Sequence, residues 1–528
     1  MKQLILVLFI FLERVIHIMS INENEFKDIA QSTNIELLPL HNRSKQSTPQ
    51  PHLVKIESST PQLPLSDRPQ FFILVLLYLL QGTPVGLAFG SIPFLLKSQL
   101  SYSQVALFSL ASYPYSLKLI WSPIVDALFW RNLGRRKSWI IPVQFLSGIV
   151  LIYLGTIMDQ LILNPEENLS KITMGFFTLV MLCATQDIAV DGWALTILSE
   201  QGLSYASTAQ TVGINTGYFM SFTVFLALNS SGFCNKYLRS LPQDFGLVSV
   251  NSYLQFWGVA YILVTIYVYY KVEEDPRRKD RLTNEGTGLN ALREVYHSMF
   301  QVLSLPSIKT FIILHLISKI GFLTNESATN LKLLEKGFAR EDLAITVLID
   351  FPFEIIFGYY VAKWSTGKNP LTPWLYAYLG RLSAAALAQV VIYLFPSSGQ
   401  VTKSYFILVI LHHLLGSFMS TIQFVSICAF HTQISDPLIG GTYMTLLNTI
   451  SNLGGQWPKF IILNLIDFFT VKECDSLGEN CQTIKDGYYI TNWICIGMSL
   501  ILYSTWIKKK VGYLQNLPKS AWRVKDPQ

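Results

Sequence analysis

The stretch ATQDIAVDGWAL, residues 184–195, decides the fold. It lies in an otherwise apolar run from Ile172 to Leu198, long enough to cross a bilayer. Yet it carries Asp187 and Asp191, with Gln186 beside the first. Four residues apart, the two acids share one helix face. A charge at the bilayer centre costs roughly 2.5–3.5 kcal/mol on insertion scales. Two on one face demand a polar interior on that side, so this helix belongs to a bundle with a hydrated or ion-paired core.

The rest of the chain agrees. Of 528 residues, 51% are hydrophobic and 14% charged, where a soluble domain has roughly 25% charged. Apolar blocks fall near 71–95, 104–126, 138–158, 172–198, 209–229, 252–270, 307–325, 343–363, 371–395, 404–430, 441–468 and 488–507. These are read as spans 1 to 12, leaving no room for a large soluble domain. The fold expected is all-α: a polytopic membrane protein of about twelve helices in two six-helix bundles. Residues 70–271 form the first bundle, 272–305 a charged cytosolic linker and 306–508 the second bundle. Residues 1–69 read as a disordered tail and 509–528 as a second tail, both cytosolic. Met1–Ile10 resembles a secretory signal, but Glu13 and Arg14 follow without a small-residue cleavage site. The net charge of +6 is scattered over short loops, which argues against nucleic acid as a partner. No metal-ligand spacing, phosphate-cradling glycine loop or nucleophile elbow occurs, so no cofactor or catalytic residue is expected.

Basic residues favour the cytosolic side. They gather at Arg131–Lys137, at Lys271–Arg281 and at Lys508–Lys510, all on one side if both termini are cytosolic. The glycosylation triplets at Asn168, Asn229 and Asn325 follow spans 3, 5 and 7, on the opposite side. Cys474 and Cys481 share the loop before span 12 on that same side, where a disulfide suits an oxidising lumen.

Between spans 2 and 3 stands SPIVDALFWRNLGRRKSW, with Asp126, Gly134, Arg135 and Arg136. It resembles the cytosolic gate motif of the major facilitator superfamily, with Ser122 replacing the leading glycine and a longer gap. A fainter echo, GYYVAKWSTGK, begins at Gly358 in the second half. The resemblance implies that Asp126 faces the start of span 11, where Asp436 caps the helix, and that Arg135 or Arg136 meets Asp191. Asp187, a turn deeper, is left either to the translocation path or to a buried structural bond.

SLKLIWSPIVDA, GRRKSWIIP, ATQDIAVDGWAL, FCNKYLR, KIGF, SDPLIGGTYMTLLNTISNLGGQWP, TVKEC and DGYY together resemble the acetyl-coenzyme A transporter family. This implies a major facilitator fold in the endoplasmic reticulum membrane, carrying cytosolic acetyl-CoA to the lumen. Such a cargo needs cations, stacking rings and amides. Lys118 and Lys319 are intramembrane cations; each pairs with an acid (Asp187 for the first, Glu354 or Asp350 for the second) or meets the cargo. Trp193, Tyr218 and Trp457 are candidate stacking rings, and Asn215, Asn448 and Asn452 candidate amides. Arg381 is expected in a structural pair with Glu354. The alternatives are a transporter of another large organic anion, such as a nucleotide or thiol peptide, and a membrane acetyl-group transferase using His412 or His413.

Overall fold

The computed structural model describes residues 64–524, less 131, 200–204, 275–288, most of 340–368, 397–398, 400, 435–439 and 475–480. The N-terminal tail to residue 63, most of span 8 with Glu354, and Asp436 lie outside the described residues.

Among the described residues, nine helices are long and apolar enough to cross a membrane: Leu65–Lys97, Lys137–Leu163, Pro165–Ala194, Ala209–Asn229, Val250–Lys271, Pro306–Glu335, Thr372–Tyr393, Lys403–His431 and Gly487–Gln515. They are spans 1, 3 to 7, 9, 10 and 12. Span 11 is one helix, Gly440–Phe469, diluted by Asn448, Ser451, Asn452 and Gln456. Span 2 is broken into Tyr102–Ser109, Tyr113–Leu117 and Ser122–Ala127. Pro114 and Pro123 stand in the first turns of the later pieces, where a missing N–H does least harm. Spans 1–6 pack on one another, spans 7 and 9–12 likewise, and span 2 meets span 11 across the divide.

Two expectations are corrected. Span 7 runs to Glu335 instead of ending near 325. Its last ten residues are polar in sequence but protein-facing, with Leu331, Lys332 and Leu333 buried. Asn325 is therefore mid-helix and half-buried, and accepts a hydrogen bond from Thr329 Oγ1 at 2.8 Å. A glycan needs an exposed loop, so Asn325 is withdrawn as an acceptor. The C-terminal tail is packed on the bundle as far as residue 524. Span 12 continues to Gln515, and the chain returns to bury Trp522 against Phe311 and Phe430. Tyr443 and Ser307 donate to the carbonyls of Trp522 and Ala521.

Asn168 stands in the first turn of span 4, its amide donating to Asn164 O. The Asn229 amide is tied to Val248 O at 3.0 Å in a packed turn. A hairpin, β1 (Val471–Cys474) and β2 (Cys481–Lys485), joins spans 11 and 12, with Cys474 directly opposite Cys481 in the antiparallel register.

Spans 1 and 5 touch backbone to backbone. A Cβ on Gly82 would overlap the carbonyl of Ile214, and one on Gly217 that of Leu79. Small residues at such crossings let membrane helices pack by van der Waals contact. Gly217→Val is expected to destabilise the first bundle by about 1–3 kcal/mol, the usual cost of overpacking. The unfolding midpoint in detergent should fall measurably. Gly497→Ala in span 12, where an added Cβ meets nothing within 4 Å, should leave it unchanged.

Candidate functional site

The two acids of the opening stretch have separate partners. Asp187 is fully buried and forms an ion pair with Lys118 Nζ, which links span 4 to span 2. Asp191 accepts hydrogen bonds from Tyr78 Oη at 2.7 Å and Gln210 Nε2 at 2.9 Å, on spans 1 and 5. Trp121 Nε1 donates to Thr185 Oγ1 at 3.1 Å in the same region. These contacts bind four helices of the first bundle together. Lys118 and Asp187 lie behind Tyr115, whose ring centre is 5.1 Å from the ammonium, and neither lines the central cavity. Their mutual pairing satisfies both charges away from this cavity.

That cavity, about 430 Å³, lies between the halves. Spans 1 and 2 contribute Phe89, Tyr115 and Ser116; spans 7, 9, 10 and 11 supply the rest. Three cations line it: Lys319, Arg381 and Lys459. Lys319 Nζ donates to Ser451 O at 2.9 Å. Arg381 pairs with Glu326, donates to Gln423 Oε1 at 2.6 Å, and holds its guanidinium 3.7 Å from the centre of the Phe322 ring. Glu326 sits on the extended span 7, and Glu354, the partner expected for Arg381, lies outside the described residues. Among the described residues neither Lys319 nor Lys459 forms an ion pair. Among the described residues, three cations against one carboxylate give the cavity lining a formal charge of +2. Trp374 and Phe424 add rings, and Gln423, Asn452 and Gln456 add amides. Two smaller voids of about 120 and 210 Å³ share Glu326 with it, and Tyr218 lines the first of them.

The other expected residues are distributed as follows. Asn452 lines the cavity, while Asn448 bonds to His431 Nδ1 at 3.1 Å. Trp193 is buried in the core of the first bundle, and Trp457 Nε1 donates to Leu316 O at 2.9 Å, tying span 11 to span 7. Asn215 is exposed and lines none of these voids. Sequence reasoning missed Lys459 and Glu326. Lys459 had a signal, because a lysine deep within an apolar block is a functional flag.

The two ends of the protein carry different chemistry. At the gate-motif end, Gly134 adopts φ +98°, and the Glu274 carboxylate accepts from the backbone N–H groups of Arg136 and Lys137, each at 3.1 Å. An acid on a helix N-terminus is favourable. The Arg136 guanidinium lies on Gly192, next to Asp191, where an added Cβ would overlap it. Arg135 stands 6.0 Å from the Phe129 ring centre. The Asp126 side chain and Asp436 both lie outside the described residues.

At the opposite end, Asp467 of span 11 accepts from the N–H groups of Tyr102 and Ser103, at 3.3 and 2.6 Å, where span 2 begins. Glu335 accepts from Tyr102 Oη at 3.0 Å and pairs with Lys97 and Lys332 at 3.6 and 2.8 Å. Lys332 also reaches Asp486 at 2.6 Å. This network joins the two halves beside a vestibule of about 980 Å³.

His412 bonds to Ala384 O and His413 to Asn330 Oδ1, with no acid against either ring among these contacts. That is not the arrangement of an acyl-carrying histidine, which needs an orienting partner.

Residues 70–371 and 367–524 match the family described as acetyl-coenzyme A transporter 1. The uncharacterized membrane protein YBR220C of Saccharomyces cerevisiae is 48% identical, over 87% of this chain and 97% of its own length. The uncharacterized protein C21B10.09 of Schizosaccharomyces pombe is 39% identical, over 88% and 91%. A solved bacterial homolog of the human lysosomal transporter Spinster, inward-facing and unoccupied, superposes with a TM-score of 0.54 at 13% identity, covering 88% of this chain and 98% of that one. That likeness is one of fold, the major facilitator fold. The protein is a membrane transporter rather than an enzyme, and it belongs to the acetyl-coenzyme A transporter 1 family.

Proposed function

We propose that this transporter moves acetyl-CoA from the cytosol into the lumen of the endoplasmic reticulum by alternating access, supplying acetylation there. The observation that carries the reading is the charge of the cavity: among the described residues, Lys319, Arg381 and Lys459 against Glu326. Acetyl-CoA bears roughly four negative charges on its phosphates at neutral pH. Ammonium and guanidinium groups hold phosphate oxygens by charge-assisted hydrogen bonds. Tyr115, Trp374 and Phe424 offer faces for an adenine, a contact worth about 1–3 kcal/mol per base. A neutral cargo would leave Lys319 and Lys459 without a counter-charge in a low-dielectric site.

In this reading the cargo enters through the gate-motif end. Release requires the Asp467 and Glu335 contacts to part. Glu335 has a side chain 36% exposed, and ion pairs of that kind contribute only about 0–1 kcal/mol each. The closed end is therefore easily opened. Cytosolic termini are supported by the basic clusters. They place the β1–β2 hairpin in the lumen, where we assign a Cys474–Cys481 disulfide. Of the triplets, Asn168 is the acceptor its surroundings best allow.

The test is uptake of acetyl-CoA labelled in both the acetyl and adenine moieties, by purified protein in proteoliposomes. Both labels should enter together. Acetyl label entering alone would establish a transferase instead, and equal competition by ATP or glutathione would point to another anion. Lys319→Ala and Lys459→Ala should each reduce sub-saturating uptake by about 10- to 100-fold, the worth of one charge-assisted bond, with the unfolding midpoint retained. Lys118→Ala should instead lower the midpoint, because an unpaired buried Asp187 costs about 3–5 kcal/mol.

Thiol counting checks the hairpin. Denatured but unreduced protein should take up alkylating agent at four of its six cysteines, and at all six after reduction. Six labels without reduction would refute the disulfide.

A further inference from the structure

The void of about 120 Å³ has no role in the reading above. Shared residues place it in series between the cationic cavity and the vestibule. Phe89, Glu326, Ser327 and Lys459 line both it and the cavity, and Phe94 lines both it and the vestibule.

Three helices depart from regular winding at this void. Span 1 opens into a wide π turn at Leu87–Ser91, and span 5 into another at Met220–Val224. Span 2 tightens into a 3₁₀ turn at Leu110–Ser112. Ala88 and Phe89 of the first turn, Phe222 of the second and Ser112 of the third all line the void. The two π turns pack on each other, and Ser91 Oγ donates to Ser221 O at 2.5 Å between them. Such interruptions of α-helices are frequent at functional sites. The aromatic wall is also firmly seated. The Phe222 ring centre is 5.3 Å from that of Phe94 and 5.8 Å from that of Tyr218. A Cβ on Gly90 would lie 2.7 Å from the Phe222 ring, so the glycine makes room for it.

Size and wall chemistry select the occupant. Val105, Phe108 and Leu463 extend the apolar lining. An apolar cavity of about 150 Å³ accommodates benzene, so a void of about 120 Å³ holds a group of fewer carbons. A purine with its ribose and phosphates is far larger and charged, whereas a short acyl chain is small, neutral and apolar. Ser327 and Asn330 on span 7 add a hydroxyl and an amide to the same wall, groups that can donate to a thioester carbonyl. Lys319 and Arg381 line the larger cavity and not this void. The two spaces therefore suit the two ends of one molecule.

We propose that this void is an acyl pocket, which takes the short acyl group of a coenzyme A thioester and sets the longest chain the site accepts. The inference rests on the cargo reading given above and deepens it. The thin acyl end leads toward the vestibule, and the phosphates stay with Lys319 and Arg381. No bond forms or breaks.

The experiment is displacement of labelled acetyl-CoA from the purified full chain by free CoA and by its acetyl, propionyl, butyryl and hexanoyl thioesters. Displacement should strengthen from acetyl-CoA to butyryl-CoA by about fourfold per carbon, the worth of one buried methylene. Hexanoyl-CoA should fall about tenfold or more below butyryl-CoA, because a filled pocket rejects added methylenes. Phe222→Ala enlarges the void from span 5 and should bring hexanoyl-CoA up to the level of butyryl-CoA. Val105→Ala, which enlarges it from span 2, serves if the first variant fails to fold. Each thioester is read as a ratio to free CoA in the same variant, which cancels any general weakening of the site. Displacement that ignores chain length, that strengthens through hexanoyl-CoA in wild type, or whose limit is unmoved in a folded enlarged variant overturns the proposal and leaves the cargo reading intact. No binding of labelled acetyl-CoA overturns both.

Discussion

Inside a bilayer an ionisable group needs a counter-charge, water or cargo, and this requirement organises the protein. In the first bundle it is met internally. Lys118 answers Asp187 across spans 2 and 4, and Tyr78 and Gln210 answer Asp191 across spans 1 and 5. Because each partner comes from a helix other than the one that carries the two acids, satisfying the charge also fixes the packing. The glycine contact between spans 1 and 5 brings the backbones close enough for those short reaches.

The second bundle meets the requirement differently. Arg381 has Glu326, but among the described residues Lys319 has a backbone carbonyl as its partner, and Lys459 stands in the cavity wall without an acid. One half is thus a closed electrostatic unit and the other an open one. Rocking two such bodies about a shared site asks the self-satisfied bundle to move as a rigid piece, while the charge-deficient one engages the anion. The polar face of span 11 serves both purposes: Asn452 and Gln456 line the void, and Asp467 latches the far end onto span 2.

Much of this was legible from residues alone. The acid pair in ATQDIAVDGWAL announced a polar interior, the apolar blocks gave the spans, and the gate motif oriented the loop between spans 2 and 3. What escaped did so for physical reasons. Hydropathy ends a span where polarity begins, yet residues 326–335 are polar because they face protein and vestibule. That shifted Glu326 and Asn325 into an imagined loop. Pairing is equally invisible in one dimension. Lys118 and Lys319 look alike as lysines within apolar runs, and only the fold shows that one has a carboxylate and the other does not. Glu274, the acid that caps span 3, lies more than a hundred residues from the backbone it holds.

Glu274 has a mechanical corollary. It is placed just after span 6, where the chain leaves the first bundle for the linker, and its carboxylate grips the turn that carries Arg136. Any pull transmitted along the linker arrives first at this clasp. The clasp itself is wholly internal to the first bundle, so severing the main chain beyond 274 leaves it intact. The covalent strand between the halves then serves as a tether for assembly, while the latch keeps its own anchorage.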